Sequence, residues 1–366
     1  MAATAPLLSL REMRDVWSGD LLDSVIPFWC KHSPDEEYGG YFTCLDRDGE
    51  VYDDRKFMWL QGRAVYTFSR MFIEFGGEVD SPTRMEYLRL AKLGAEFLSK
   101  GRGSDGISDD LLFFTLSRDG EYKLHLQRKP YAAVFFIQGC LEYYRALRTL
   151  EDELGVTGHG EDKEQYLSTA VEFYYRLEQW LVDPQLSGRP KVEKPPPDGT
   201  TALGDVMCMA SLALDFLEKL PWGTEHPLAS EERRAELLAS IKQAMADVRR
   251  HYEPERRILL ENVPDSGPDF STTTGRIFNP GHSIEVVWFL LHMCEVVPDD
   301  SLQELALSAL EGSLEAGWDD AYGGGILYMM DVPNYQPPGL PPHPAPCKHL
   351  KRPGFIIYSK LFLSPV

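Results

Sequence analysis

The sequence lacks the features that membrane, secreted and metal-binding proteins need. No apolar run approaches the roughly 18 residues of a membrane span, and the N-terminus has no cationic start of a signal peptide. The six cysteines are scattered without a C-x-x-C pair, which argues against a disulfide framework and a structural zinc site. The motifs H-E-x-x-H and G-x-S-x-G are also missing. We therefore expect a cytoplasmic protein that is neither a metalloenzyme nor a serine hydrolase.

Positive charge is scarce as well. The chain has 37 lysines and arginines against 57 aspartates and glutamates, a formal net charge of −20. Such a surface repels nucleic acids and anionic membranes, so we expect neither as a partner. The 366 residues, 43% of them hydrophobic, are enough for a substantial core, and one large domain is the simplest organisation.

Most of the chain has the apolar spacing of helices. The predicted helices cover residues 8–31, 56–75, 83–100, 130–150, 163–182, 201–220, 231–252, 280–297 and 302–316. Hairpins are predicted around Asp48-Gly49 and Asp119-Gly120, which favour tight turns. Helices that follow one another in pairs, with no βαβ alternation, predict a toroid or solenoid of helical hairpins.

The last part of the chain breaks this pattern. A Tyr-Gly-Gly turn follows a helix near Tyr38 and again near Tyr322, which indicates internal repetition. From Val332 onward, closely spaced prolines exclude a helix from most of the segment. We therefore predict a helical domain over residues 1–331 that lacks its last helices, followed by a divergent Pro-rich tail over residues 332–366.

The strongest candidate for chemistry is the stretch 276–291. Asn279 is a preferred N-cap, and Pro280 suits the first helical position. His282 then lies in the first turn, with Glu285 one turn later on the same face. The positive helix end disfavours an imidazolium ion, so His282 should be able to accept a proton near neutral pH. The alternative is a capped core helix whose histidine is only hydrogen-bonded by its neighbours.

A second candidate lies in Trp59-Leu60-Gln61-Gly62-Arg63. Arg63 falls on an apolar helix face, where a buried cation needs a carboxylate, a carbonyl or an anionic substrate. An arginine that reaches the surface or is paired in the core is the alternative. Gly62 would let a ligand or a backbone segment come close. Arg128, after the second hairpin, could line the mouth of the same ligand site as Arg63, or it could lie on the surface.

Several segments match a known family in order from about residue 10 to residue 331. They are Phe28-Trp29, Tyr38-Gly39-Gly40-Tyr41-Phe42-Thr43-Cys44-Leu45, Val51-Tyr52-Asp53-Asp54, Trp59-Leu60-Gln61-Gly62-Arg63, Leu116-Ser117-Arg118-Asp119-Gly120, Leu260-Glu261-Asn262-Val263, Asn279-Pro280-Gly281-His282-Ser283-Ile284-Glu285, Trp288-Phe289-Leu290-Leu291 and Gly317-Trp318-Asp319. In these segments the chain resembles the N-acylglucosamine 2-epimerases, also called renin-binding proteins.

The resemblance implies an all-α fold, the (α/α)6 barrel, with short β-hairpins at one end. It implies an isomerase that interconverts N-acetylglucosamine and N-acetylmannosamine, a sialic acid precursor of amino-sugar metabolism, through the C2 proton of the ring-opened sugar. Arg63 would then hold a substrate oxygen, and His282 would be one of two acid/base residues, oriented by Glu285. Substrate-binding roles would follow for Trp59, Gln61, Arg128 and Asn279.

The resemblance also implies properties beyond the site. No cofactor is required for the chemistry, although ATP or another nucleotide is expected as an allosteric activator. A homodimer and binding to renin are the expected associations.

The chain departs from the family after residue 331. There the family continues with a tryptophan-rich helix bearing W-W-P-H-x-E, and a later helix start supplies the second catalytic histidine. Neither feature is visible in residues 332–366, where His343 and His349 lie among prolines, and we assign neither that role. Because epimerisation needs a proton donor on each face, we expect reduced activity.

Two other functions remain as alternatives. The first is a catalytically inactive binding or regulatory form that pairs with an intact epimerase subunit or with another protein such as renin. The second is a glycosidase that uses Asp54 and Glu285 as its two carboxylates. The glycosidase is the weaker alternative, because a base beside an oxyanion-stabilising arginine suits proton abstraction better.

Overall fold

A computed structural model of the chain describes residues 9–103, 111–127, 130–183, 186, 199–319 and 324–332. Within these ranges helices follow one another, and strands of two to four residues lie between them. The chain divides into two units, Met1–Pro190 (unit 1) and Lys191–Val366 (unit 2). In the part of the chain that the structure describes, no helix is long and apolar enough to cross a membrane.

The helices of unit 1 confirm the sequence-based prediction to within a few residues. They are α1 (Leu10–Asp20), α2 (Ile26–His32), α3 (Met58–Glu74), α4 (Ser81–Leu98), α5 (Tyr131–Leu154) and α6 (Gly160–Val182). Their ends follow the local chemistry, since Ser9 forms a capping box with Glu12 and Gly155 ends α5 with a φ of 65°. α3 contacts α4 and α5, and α6 packs on α5, so α3 and α5 are the central pair of this unit.

Two glycines let α3 and α5 approach closely. A Cβ on Gly62 would lie 2.2 Å from the carbonyl oxygen of Phe135, and a Cβ on Gly139 would lie 2.9 Å from the carbonyl oxygen of Gly62. The sequence predicted that either a ligand or a backbone segment comes close to Gly62. The structure shows a backbone segment there, that of Phe135 in α5. The crossing also places Arg63 beside the aromatic side chains of both helices.

Five strands in unit 1 lie near the helix starts. β1 (Cys44–Leu45) pairs with β2 (Val51–Asp53), and β3 (Lys56–Phe57), β4 (Phe113–Leu116) and β5 (Lys123–Leu126) form an antiparallel sheet in that order. The turns at Gly49 and Gly120 have φ values of 90° and 76°, which glycine adopts without strain. Both predicted hairpins are therefore confirmed, and β3 is an addition.

A buried ion cluster ties these strands together. The Lys56 ammonium, fully buried, donates to the Asp35 carboxylate at 2.9 Å. Arg118 donates two hydrogen bonds to the same carboxylate, at 2.9 and 3.0 Å. Burial alone would raise the pKa of Asp35, but the hydrogen bonds from Arg118 and Lys56 outweigh it and hold the pKa below its usual range.

The cluster leads to a stability prediction. We expect Asp35→Asn to lower the free energy of unfolding at neutral pH by about 3–5 kcal/mol, because it leaves the Lys56 charge buried without a counter-ion. The native carboxyl has a lowered pKa, so its stabilisation is present above the pKa of the unfolded chain and is lost as the pH falls. Urea unfolding should therefore show a wild-type advantage that shrinks below about pH 4.

The matched control for this experiment is Asp48→Asn. Asp48 lies at an exposed turn, so its substitution should change the unfolding free energy by about 0.5 kcal/mol or less. Equal losses for the two variants, or an Asp35 effect that does not depend on pH, would contradict the prediction.

Unit 2 repeats the pairing of helices. Its elements are β6 (Thr201–Ala202), α7 (Leu203–Lys219), α8 (Glu231–His251), β7 (Tyr252–Glu253), β8 (Ile258–Leu259), β9 (Asn262–Val263), β10 (Ile277–Phe278), α9 (Pro280–Val296), α10 (Asp300–Gly317) and β11 (Met330–Asp331). α7 packs on α8 and α9 on α10, and α7 also contacts α9. The helices confirm the predicted ones.

Short strands join distant parts of unit 2. β6 pairs with β9, β7 with β8 and β10 with β11, each in antiparallel register. Ile258, Leu260, Val263, Phe278 and Val332 form a buried apolar cluster beneath these strands. This cluster fixes the segments that lead into α9. The Pro-rich tail beyond Val332, including His343 and His349, lies outside the described residues.

Candidate active site

α9 begins as the sequence predicts. Asn279 is the N-cap, and its side-chain oxygen accepts a hydrogen bond from the His282 backbone N–H at 3.2 Å. Pro280 occupies the first helical position. His282 therefore lies in the first turn, with its side chain 34% exposed.

A carboxylate that the sequence analysis gave no role holds the His282 ring. Both carboxylate oxygens of Glu261 lie 3.0 Å from His282 Nδ1. An ionised carboxylate only accepts hydrogen bonds, so Nδ1 carries a proton, and when the ring is neutral Nε2 is its basic nitrogen. Glu261 is less exposed than the ring, at 13%. The pair can therefore act as a general base whose orientation the protein fixes.

The backbone on both sides of Glu261 is held in place. Its N–H donates to the Ile277 carbonyl oxygen at 3.0 Å, and its own carbonyl oxygen accepts from the Leu203 N–H at 2.8 Å. Leu203 begins α7, and Ile277 lies in β10, just before α9. The peptide of Glu261 thus connects the starts of two helices, which brings its carboxylate to the first turn of α9.

The start of α9 is fixed from its other side as well. Ser283 Oγ accepts a hydrogen bond from the Leu259 N–H at 3.1 Å and lies 2.6 Å from Ser313 Oγ in α10. Pro280 packs against Gly317, where a Cβ would come within 2.4 Å of the proline ring. These contacts leave the His282 backbone little freedom, as a preorganised base requires.

The other predicted residues of α9 have definite positions. Glu285 lies one turn after His282 and is partly buried. Its orienting role stays a prediction, because the carboxylate that the structure shows on the ring is Glu261. Asn279 is 2% exposed and uses its oxygen for the helix cap. Among the described residues, its buried Nδ2 has no hydrogen-bond partner, and substrate binding by Asn279 also stays a prediction.

In unit 1, Arg63 lies between two aromatic rings. Its guanidinium carbon is 4.0 Å from the centroid of the Phe135 ring and 5.2 Å from that of Trp59. Arginine stacks on aromatic faces through cation–π attraction, which fixes the plane of the guanidinium group. Trp59 therefore acts first as a platform for Arg63.

The substrate-binding role predicted for Gln61 stays a prediction, and the structure shows its side chain bound to another part of the chain. Its side chain is fully buried, and its amide makes two hydrogen bonds of 2.8 Å with the Tyr41 backbone, one to the N–H and one to the carbonyl. An amide engaged in this way cannot turn toward a ligand without leaving a buried peptide unsatisfied. Gln61 instead holds the turn at Tyr41 on α3. Arg128, the remaining candidate, lies outside the described residues.

Comparison with solved structures establishes the fold. Over 87% of this chain and 75% of the other, the fold is similar to a sugar epimerase from a ruminal bacterium, with a TM-score of 0.60 and 19% identity. Cellobiose 2-epimerase from Bacillus thermoamylovorans gives a TM-score of 0.64 and 14% identity over 88% of this chain and 76% of that one. The predicted (α/α)6-barrel class is confirmed, and the fold is that of carbohydrate epimerases.

Sequence comparison establishes the family. The family model of N-acylglucosamine 2-epimerase matches residues 40–155 and 224–338. N-acylglucosamine 2-epimerase of Rattus norvegicus is 33% identical over 337 residues, which cover 90% of this chain and 72% of the rat protein. The Homo sapiens protein is 31% identical over 90% of this chain and 71% of its own length. The chain belongs to the N-acylglucosamine 2-epimerase family.

The contact between Glu261 and His282 leads to a spectroscopic prediction. We expect neutral His282 to be the Nδ1–H tautomer in the unaltered chain and to shift toward the Nε2–H tautomer in Glu261→Leu, which removes the acceptor. Nitrogen-15 NMR of labelled histidine side chains distinguishes the two, and His282→Gln identifies the signal. The control is Glu255→Leu at an exposed position of the same segment. A His282 signal that is already the Nε2–H tautomer in the unaltered chain would refute this reading of the pair.

Proposed function

We propose that the chain interconverts N-acetylglucosamine and N-acetylmannosamine by removing and returning the proton at C2 of the open-chain sugar. The observation that carries the proposal is the Glu261–His282 pair, in which both carboxylate oxygens lie 3.0 Å from His282 Nδ1. A carboxylate at this distance favours the proton on Nδ1, and in the neutral ring Nε2 is then the basic nitrogen. The substrate class comes from the family, whose rat and human members are named N-acylglucosamine 2-epimerases.

The chemistry suits one fixed base. C2 of the open-chain sugar is next to the C1 aldehyde, which acidifies the C2 proton. When His282 Nε2 takes this proton, the C–H electron pair forms the C1–C2 double bond, and the carbonyl pair moves onto O1. Glu261 stabilises the imidazolium that results, as a carboxylate does behind other catalytic histidines. Return of a proton to the opposite face of C2 gives the epimer.

For Arg63 we propose the stabilisation of a substrate oxygen that gains negative charge. The support is the aromatic platform of Trp59 and Phe135, which sets the guanidinium plane before substrate arrives. A preorganised donor acts more strongly than one that must reorient during the reaction. The acid for the opposite face is not assigned, and nucleotide activation, a homodimer and renin binding stay predictions of the family resemblance.

Hydrogen exchange tests the proposed base directly. Incubation with N-acetylglucosamine in D2O should place deuterium at C2, and His282→Gln should slow this exchange at least about 100-fold, because it removes the general base. Mass spectrometry and proton NMR of the recovered sugars give the rate and show whether the deuterium is in the starting sugar or in its epimer. Exchange without the epimer would show that the base works on one face only.

The control for this measurement is His292→Gln, which changes a histidine on the same helix whose ring packs at a tilt against Trp288. It should leave the exchange rate nearly unchanged. A folded chain that neither exchanges C2 nor forms the epimer would refute the proposed activity and favour the binding form. Undiminished exchange in His282→Gln would refute the assigned base.

The role of Arg63 gives a separate prediction. Arg63→Lys keeps the positive charge but loses the planar group that stacks on Phe135, so we expect kcat/KM to fall by about 10-fold or more. Arg14→Lys, at a side chain that is 72% exposed, should have no effect on steady-state kinetics. Unchanged kinetics in Arg63→Lys would show that any cation suffices at this position.

A further inference from the structure

A buried histidine outside the proposed reaction touches the segment that carries Glu261. His251 is the last residue of α8 and is fully buried. Its Nδ1 lies 2.6 Å from the Leu260 carbonyl oxygen, and its Nε2 lies 2.9 Å from Thr201 Oγ1. The Leu260 N–H in turn donates to the His251 carbonyl oxygen at 2.9 Å. His251 and Leu260 are therefore joined by two hydrogen bonds, directly before Glu261.

These bonds complete the fixation of the peptides around Glu261. The N–H of Glu261 is held by the Ile277 carbonyl, and its carbonyl is held by the Leu203 N–H. The carbonyl of Leu260, which belongs to the same peptide as the Glu261 N–H, is held by His251. Of these three contacts only the one from His251 comes from a side chain, so a substitution can remove it without breaking the main chain.

The protonation of His251 follows from its partners. The Leu260 carbonyl only accepts, so Nδ1 carries the proton. The Thr201 hydroxyl lies 2.9 Å from Nε2 and 3.2 Å from the Val263 carbonyl oxygen, so its single proton is shared between these two acceptors. Burial lowers the pKa of His251; the bond to the Leu260 carbonyl and the charges of Asp247 and Glu261 oppose this effect, and the charge of Arg250 adds to it. The neutral ring therefore donates on one side and accepts on the other.

We propose that His251 is a positioning residue for the base, which holds the Leu260–Glu261 peptide so that the Glu261 carboxylate meets His282 Nδ1. His251 acts through Glu261 and takes no part in proton transfer. Without its bond to the Leu260 carbonyl, this peptide is held only through its N–H, by the Ile277 carbonyl. It can then tilt about that bond, and the Glu261 carboxylate shifts relative to the imidazole. The effect on catalysis rests on the proposed function, whereas the effect on the His282 ring does not.

Two substitutions, each to a side chain with a neutral amide, distinguish the hydrogen bond at His251 Nδ1 from the one at Nε2. His251→Asn places an amide near the position of Nδ1 and keeps a donor for the Leu260 carbonyl. His251→Gln places its amide near the position of Nε2, where it reaches Thr201 and leaves that carbonyl without its donor. A purely structural role would make the two variants similar, while the positioning role makes them differ. Val248→Ala, at a buried position of the same helix, controls for general destabilisation.

The first readout is the tautomer of His282 by nitrogen-15 NMR, which does not depend on activity. We expect His251→Asn and Val248→Ala to keep the Nδ1–H tautomer, and His251→Gln to lose it. The second readout is C2 exchange of N-acetylglucosamine in D2O. His251→Gln should lower kcat at least about 10-fold with KM changed less than about 3-fold, because a displaced base costs rate more than binding, and His251→Asn should restore most of kcat.

Several outcomes would overturn the proposal. The first is an unchanged tautomer in His251→Gln, and the second is an equal loss in the glutamine and asparagine variants. The third is a matching loss in Val248→Ala, and the fourth is a failure of both His251 variants to fold, since the role would then be one of stability. If no variant and not even the unaltered chain exchanges C2, the proposed function fails, and the tautomer measurement still decides the role of His251.

Discussion

The candidate site in unit 2 depends on how one peptide segment is held. Glu261 lies at a bend between β8 and β9, and its N–H and carbonyl groups are bonded to Ile277 and Leu203. Through these bonds the starts of α7 and α9 share one backbone support, and the buried cluster of Ile258, Leu260, Val263, Phe278 and Val332 packs beneath it. The carboxylate can hold His282 because hydrogen bonds on both sides fix the backbone that carries it.

Unit 1 uses the same kind of support for a different purpose. Its short strand β3 runs directly into α3, and the buried charges of Lys56 and Asp35 lie at this junction. Gln61, one turn into the helix, bonds the backbone of Tyr41 and so fixes the helix start against the preceding turn. In both units, short strands and polar side chains thus set where an interior helix begins. The first two turns of such a helix are then rigid enough to carry Arg63 or His282.

The sequence predicts the helices well because their signals are local. Periodic apolar residues, the cap at Asn279 and the glycine after α5 lie within a few residues of the structure that they specify. Glu261 has no such signal, since it lies 21 residues before His282 and meets it only through pairing of two-residue strands. The four-residue segment that contains Glu261 is part of the family resemblance, and this resemblance is the sequence feature that indicates a role for Glu261. Gln61 is the opposite case, because it lies two residues before Arg63 in the sequence, while its amide bonds the distant backbone of Tyr41.

The unequal exposure of the Glu261 and His282 side chains suits a general base better than a purely structural ion pair. Asn279, which caps the helix, is 2% exposed, the Glu261 side chain is 13% exposed, and that of His282 is 34% exposed. A structural pair of this kind gains most when both partners are shielded from water, since water weakens the attraction between charges. Here the carboxylate is shielded, and the ring is partly open. That arrangement preserves the attraction that would stabilise an imidazolium after proton transfer.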